Sequence, residues 1–175
     1  IGAPREKKGI DILMHALQLA REKADLRLLI IGSDFRKEER QRCKDVIDRL
    51  MAANALHITG SLDRDRALEI AAEGDMIVMP SLDDGLPNGL LEGMAMGMCP
   101  IVSDLFQDLV ADGSSGWVVK RYNPARLSLA LLDAAQSVEK RARFGAAAKA
   151  FITAHHDPAI EAKAYERLFK DIVVK

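Results

Sequence analysis

Short apolar runs that stop at glycine or proline alternate with longer amphipathic stretches along most of this chain, and that rhythm leaves few folds open. Residues 26–31 are nearly unbroken apolar and end at Gly32, residues 56–59 end at Gly60, and residues 76–79 end at Pro80. Strands buried on both faces of a parallel sheet read this way. Between them, residues 9–23 carry Ile12, Leu13, Ala16, Leu17 and Ala20 on one helical stripe. Residues 37–52 and 64–72 read as further helices, and residues 100–103 and 116–119 as further strands. From Pro124 onward the pattern is helical, with a break near residues 155–158. The alternation predicts an α/β fold, a single Rossmann-like, doubly wound parallel sheet with helices on both faces.

At 175 residues the chain fits one domain, residues 1–175, with enough mass for a core of its own. Its 25 basic and 26 acidic residues leave a net charge of −1, which favours neither nucleic acid nor an anionic membrane. An anion site must therefore be a local arrangement. No apolar run approaches the roughly 20 residues that span a bilayer, and no signal peptide opens the chain. Cys43 and Cys99 read as unpaired thiols in a reducing compartment, which predicts a cytoplasmic protein.

Ligands of doubly wound sheets sit beyond the carboxyl ends of the strands. That singles out the loops after residues 2, 31, 59, 79 and 103. The first strand is nearly absent, because Ile1-Gly2 runs straight into residues 3–8. The expectation is that part of that strand, and an N-terminal domain for an acceptor, lie ahead of Ile1.

The richest segment is residues 80–97, PSLDDGLPNGLLEGMAMG. Gly85, Pro87 and Gly89 punctuate a tight loop that enters a helix from about Gly89 to Met96. Asn88 reads as its N-cap, so the first-turn amides and the helix dipole form an anion site. Gly85 and Gly89 let a ligand approach the backbone closely. Two carboxylates flank this feature, Asp84 and Glu92. A plainer reading stays open: with Gly89 as cap, Glu92 reaches back to its own helix start, and Asp84-Gly85 is an ordinary turn.

Asp84 and Glu92, eight positions apart with Gly-Leu-Pro-Asn-Gly-Leu-Leu between them, resemble the Glu-x7-Glu motif of the group 1, retaining GT-B glycosyltransferases. Lys7-Lys8-Gly9-Ile10-Asp11 resembles that family's Lys-Gly helix start. Residues 29–32, 58–60, 75–81, 100–104 and 112–119 fall where its C-terminal, donor-binding domain has the same elements. The resemblance implies transfer of a sugar from a nucleoside-diphosphate sugar, a UDP- or GDP-sugar, to a glycan, lipid or other acceptor. It implies that Glu92 holds the ribose hydroxyls and Asp84 the donor-sugar hydroxyls. Amides around Gly89 and Leu90, in the loop with Gly85 and Asn88, would meet the diphosphate. Lys8 would neutralise that diphosphate as it leaves. No metal and no further cofactor is implied, and any membrane association would pass through the other domain.

The chain departs from the family at three points. Ala3 stands where the family has Arg after its glycine, with Arg5 two positions later as a substitute. Asp84 is one methylene shorter than Glu, and the loop after Asp104 is about two residues short. These departures leave a second reading beside the enzyme, a non-catalytic nucleotide-sugar-binding module. A dinucleotide-binding dehydrogenase finds no support, because no Gly-x-Gly-x-x-Gly follows a strand.

Other signals have plainer explanations. Asp63-Arg64-Asp65 looks like a metal-binding Asp-x-Asp but reads as a helix cap. His155-His156-Asp157 precedes Pro158, and Asp157-Pro158 reads as a helix start. Met94 and Met98, four apart on one helix, read as core, and so does Trp117.

Overall fold

The computed structural model describes residues 1–85, 87–156 and 158–173. After a 3-10 turn at Glu6–Lys8, the order is α1 (Ile10–Arg21), β1 (Leu28–Ile30), α2 (Lys37–Arg42), α3 (Lys44–Ala52), β2 (Leu56–Ile58), α4 (Arg64–Ala71), β3 (Met76–Met79) and α5 (Asn88–Met96). Then follow β4 (Cys99–Ser103), β5 (Trp117–Val119), α6 (Pro124–Gln136), α7 (Val138–His155) and α8 (Pro158–Val173). Every strand pairing is parallel: β1 with β2, and β4 with β3 on one side and β5 on the other.

The period of two along the strands shows why helices cover both faces. Ile101 of β4 and Trp117 of β5 enter a core built with α1, α3 and α6. Val102 of β4 enters a second core on the opposite face, with Leu90 and Met94 of α5 and Ala148 and Ile152 of α7. All five residues of β4 are buried, as a central parallel strand requires. The Trp117 and Phe144 rings meet edge to face with centroids 4.7 Å apart, and Trp117 Nε1 donates to Asp133 Oδ2 at 2.9 Å.

Four details differ from the pattern read in the sequence. The parallel ladder is divided, with β1–β2 in one piece and β3–β4–β5 in another among the described residues. A slot of about 540 Å³ separates β1 from β3, so their facing edges do not reach each other. Residues 37–52 form two helices rather than one. Cys43 leaves the helical region (φ −112°, ψ 18°), and α2 has only Glu39 buried, so no apolar stripe holds it in line with α3.

The helical C-terminal region also breaks at Ser137, where α6 ends. There the Arg141 guanidinium donates to the carbonyls of Ala134 (2.6 Å) and Ala135 (3.1 Å), satisfying acceptors that the helix end leaves open. Finally, Met98 lies beyond the end of α5, although both it and Met94 are buried. α8 leaves Ile160, Tyr165, Leu168, Phe169 and Ile172 exposed.

Both cysteines are free and buried. Burial pushes the Cys99 thiol up to about 12, and the Cys43 thiol upward as well. A folded thiol that keeps its proton to about pH 12, against an ordinary value near 9, binds more protons than the unfolded chain across that interval. Stability therefore falls as pH rises from about 9 to about 12. Urea titrations at pH 8 and pH 10 should show the loss. A thiol reagent at pH 8 should label Cys99 at least about tenfold more slowly in the native protein than in denaturant.

Candidate functional site

Parallel strands deliver all their carboxyl ends to one edge, so the loops that follow them share a rim. Here hydrogen bonds tie those loops together. Gly2 N donates to Ile31 O at 2.8 Å, and Gly32 N to Thr59 Oγ1 at 3.3 Å. Leu82 N donates to Lys7 O at 2.8 Å, and Ser103 Oγ to Ser81 O at 2.7 Å. The loops after residues 31, 59, 79 and 103, with the segment after Gly2, therefore lie along one edge as expected.

Gly9 sets the closest approach on this rim. It caps the 3-10 turn with φ +67°, and a Cβ there would stand 2.1 Å from Pro80 O. Only glycine permits both the left-handed backbone and the contact. The approach lays Lys8 against the loop after β3, where its Nζ forms an ion pair with Asp84. The Asp84 side chain is 12% exposed and that of Lys8 33%, so the pair is sheltered but open on one side. An ammonium has three donors and a carboxylate two oxygens, so each can still engage a ligand.

The helix after that loop begins one residue earlier than the sequence suggests. Pro87, not Asn88, is the N-cap, and Asn88 is the first helical residue. The Pro87 carbonyl accepts from Leu90 N (2.8 Å) and Leu91 N (3.1 Å), and a proline at this boundary has no N–H to leave unsatisfied. The Leu90 amide is thereby engaged and its side chain fully buried, which leaves Asn88 and Gly89 as the helix positions ahead of it. Gly89 packs on Ile1, whose Cβ and carbonyl oxygen would each stand 3.2 Å from an added Cβ. Gly85 is exposed with open space around it. Leu86, inside the motif, lies outside the described residues.

Glu92 does not reach back to its helix start. Its Oε1 accepts from Arg64 Nη2 at 2.9 Å, across the gap between α5 and α4. The Glu92 side chain is 26% exposed and Arg64 72%, so this cation can swing aside at small cost. Arg5 donates through Nη1 to Pro4 O at 2.9 Å, with no bond to Asp84 or Glu92.

Two rim cations escaped the sequence reading. Arg64 was absorbed into the helix cap, and that cap is real: Asp63 Oδ1 accepts from Arg66 N at 2.9 Å. Arg121, just past β5, donates through Nε to Asp104 Oδ1 (2.9 Å) and through Nη1 to Leu82 O (3.2 Å), strapping the end of β4 to the Asp84 loop. Applying the carboxyl-end rule to the last strand as well would have found it. The rim thus carries Lys8, Arg64 and Arg121, each beside a carboxylate. Such a surface offers cations to an anion and acceptors to sugar hydroxyls. No group of three or more His, Cys, Asp or Glu among the described residues is arranged to hold a metal. The Asp157 cap proposed beside His155-His156 lies outside the described residues.

The family profile described as "Glycosyl transferases group 1" matches residues 1–151. The chain belongs to this family.

Solved structures carry the same fold at low identity. Sucrose-phosphate synthase from Thermosynechococcus elongatus superposes with a TM-score of 0.86 at 20% identity, over 99% of this chain and 44% of the other. Anabaena HepE in complex with UDP gives 0.81 at 20% identity, over 97% of this chain and 48% of the other. The C-terminal domain of the group 1 glycosyl transferase LpcC from Francisella tularensis gives 0.80 at 17%, over 90% and 84%. Against TarM from S. aureus the chain spans 34% of the length, so it covers between a third and a half of several of these structures. No curated protein sequence matches the chain. No helix among the described residues is long and apolar enough to cross a membrane.

The Gly9 contact makes a direct test of the rim. Gly9→Ala should cost at least about 1–3 kcal/mol from backbone strain alone, more with the Pro80 clash. It should separate Lys8 from Asp84. Urea unfolding would give the first effect and a crystal structure of the variant the second.

Proposed function

We propose that this group 1 glycosyl transferase domain binds a nucleoside-diphosphate sugar at the rim and serves as the donor half of a retaining transferase. The observation that carries the reading is the convergence of Lys8, Asp84, the start of α5 and Glu92 on one edge. Glu92 would accept from the ribose hydroxyls once Arg64 swings away, and Asp84 from hydroxyls of the sugar. The first turn of α5, at Asn88 and Gly89, would face the diphosphate with the positive end of its dipole. Lys8 would stabilise the charge that builds on that diphosphate as the glycosyl bond breaks. Structures of similar fold hold UDP, which supports a UDP-sugar as the first donor to try and a GDP-sugar as the second.

The acceptor, a glycan, lipid or other hydroxyl compound, would lie on an N-terminal domain ahead of this one. Positioning is a large share of catalysis, so residues 1–175 alone should bind donor and transfer almost nothing. Free buried thiols fit a cytoplasmic setting. The non-catalytic module keeps one observation in its favour: Ala3 supplies no cation, and Arg5 is turned to Pro4 O. Joining this domain to the partner domain of a group 1 enzyme and assaying transfer separates the two readings.

The two carboxylates make distinct predictions. Glu92→Ala should weaken both the plain nucleoside diphosphate and the nucleotide-sugar by ten- to a hundredfold, about 1.5–3 kcal/mol. Asp84→Ala should weaken the nucleotide-sugar and leave the diphosphate nearly untouched. Calorimetric titration reads both, and equal losses at Asp84, or none at Glu92, would sink the assignment. Binding should also survive a chelator, since a lysine and a helix terminus supply the positive charge; a strict metal requirement would count against that account.

A further inference from the structure

Arg64 stands at the rim without a reason in the fold. It is the first residue of α4, where the positive end of the helix dipole disfavours a cation. The helix start does not depend on it, because Asp63 caps α4 through Arg66 N. Its side chain is 72% exposed and so packs into neither core. Arg121 straps a backbone carbonyl, whereas the bond from Arg64 goes to the Glu92 side chain, 28 residues away on α5. That bond uses Nη2 alone. A guanidinium is a rigid fork of N–H donors with no acceptor, and most of this fork stays open to solvent.

The parts of a nucleoside-diphosphate sugar follow one covalent order: sugar, diphosphate, ribose, base. Under the donor reading, Asp84 takes the sugar, Asn88 and Gly89 the diphosphate, and Glu92 the ribose. These groups run from the loop after β3 into α5 in the same order. The base is the part left without a partner, and it is bonded to the ribose. Arg64 is the charged group in contact with the ribose carboxylate, and it reaches Glu92 from α4, which follows β2 rather than β3.

We propose that Arg64 is a specificity-determining residue for the base of the donor, selecting bases that present a ring carbonyl, uracil or guanine, over adenine. The proposal rests on the donor reading and adds the base to it. When the ribose takes Glu92, the guanidinium leaves that carboxylate and donates to the base edge. Guanine offers O6 and N7 side by side, and uracil offers O4. Adenine places an amino donor beside N7, so the fork meets a donor where it needs an acceptor. Nothing in the folded core changes, because the movement is confined to one exposed side chain.

Calorimetric titration of this chain and of Arg64→Ala with UDP, GDP and ADP tests it. The quantity read is the affinity for UDP or GDP divided by that for ADP. In the unaltered chain both ratios should be at least about fivefold. In Arg64→Ala both should fall to within about twofold of unity, with Tm unchanged or slightly raised as a cation leaves the helix start. Release of Glu92 from its ion pair acts on all three ligands alike and leaves the ratios unmoved. Glu92→Ala should weaken all three by a similar factor and keep the ratios. Ratios near unity in the unaltered chain, or ratios that survive Arg64→Ala, would overturn the proposal. If Glu92→Ala still weakens all three, the donor reading stands without it. Failure of the unaltered chain to bind any of the three would overturn both.

Discussion

Lys7 accepts the amides of Leu82 and Asp83 through its carbonyl, while Gly9 lies against Pro80. These are backbone contacts, set by the left-handed turn at Gly9 rather than by any flexible side chain. They dock the start of the chain onto the loop after β3, across the boundary between the two sheet pieces. The Lys8–Asp84 pair is a consequence, because neither side chain could find the other without that docking. The same contact fixes the loop that leads into α5, and with it the position of the helix start and of Glu92.

The electrostatics of the rim follow a single scheme. Lys8 pairs with Asp84, Arg64 with Glu92 and Arg121 with Asp104. None of these pairs is deeply buried, so their contribution to stability is small. Under the proposed donor reading, a polyanionic, polyhydroxyl ligand would meet each charge already oriented and would exchange one partner for another instead of creating unpaired ions.

Much of this was legible in the residues, and the exceptions have physical causes. The short apolar runs announced each strand, because a strand buried on both faces leaves no room for alternation. Asp63 announced α4 through its cap. The start of α5 was misplaced by one residue, since Asn88 is the better capping side chain while Pro87 uses only its carbonyl. The break at Ser137 had a local signal, a serine followed by Glu139, but the continuous helical pattern on both sides masked it. Arg64 and Arg121 were hidden for another reason: their partners lie 28 and 17 residues away, and such pairs are set by topology rather than by spacing. The division of the sheet was invisible as well, because pairing between strands is a property of the assembled fold.

The strand registers also bear on how the sheet is assembled. Leu28 pairs with Leu56, Met76 with Cys99 and Ile101 with Trp117. Each pairing joins strands consecutive or nearly so in the chain, through α2 and α3, through α5, and through a 3-10 turn at Asp104–Phe106, and none reaches across the division. Loop-closure entropy grows only logarithmically with length, so the longest of these closures costs merely about 0.5 kcal/mol more than the shortest. Neither piece of the sheet needs the other to nucleate. Their joining rests on the long-range packing of α1 on α6 and of Gly9 on Pro80. In topological terms each half-sheet closes its own pairings, whereas the rim draws its residues from both.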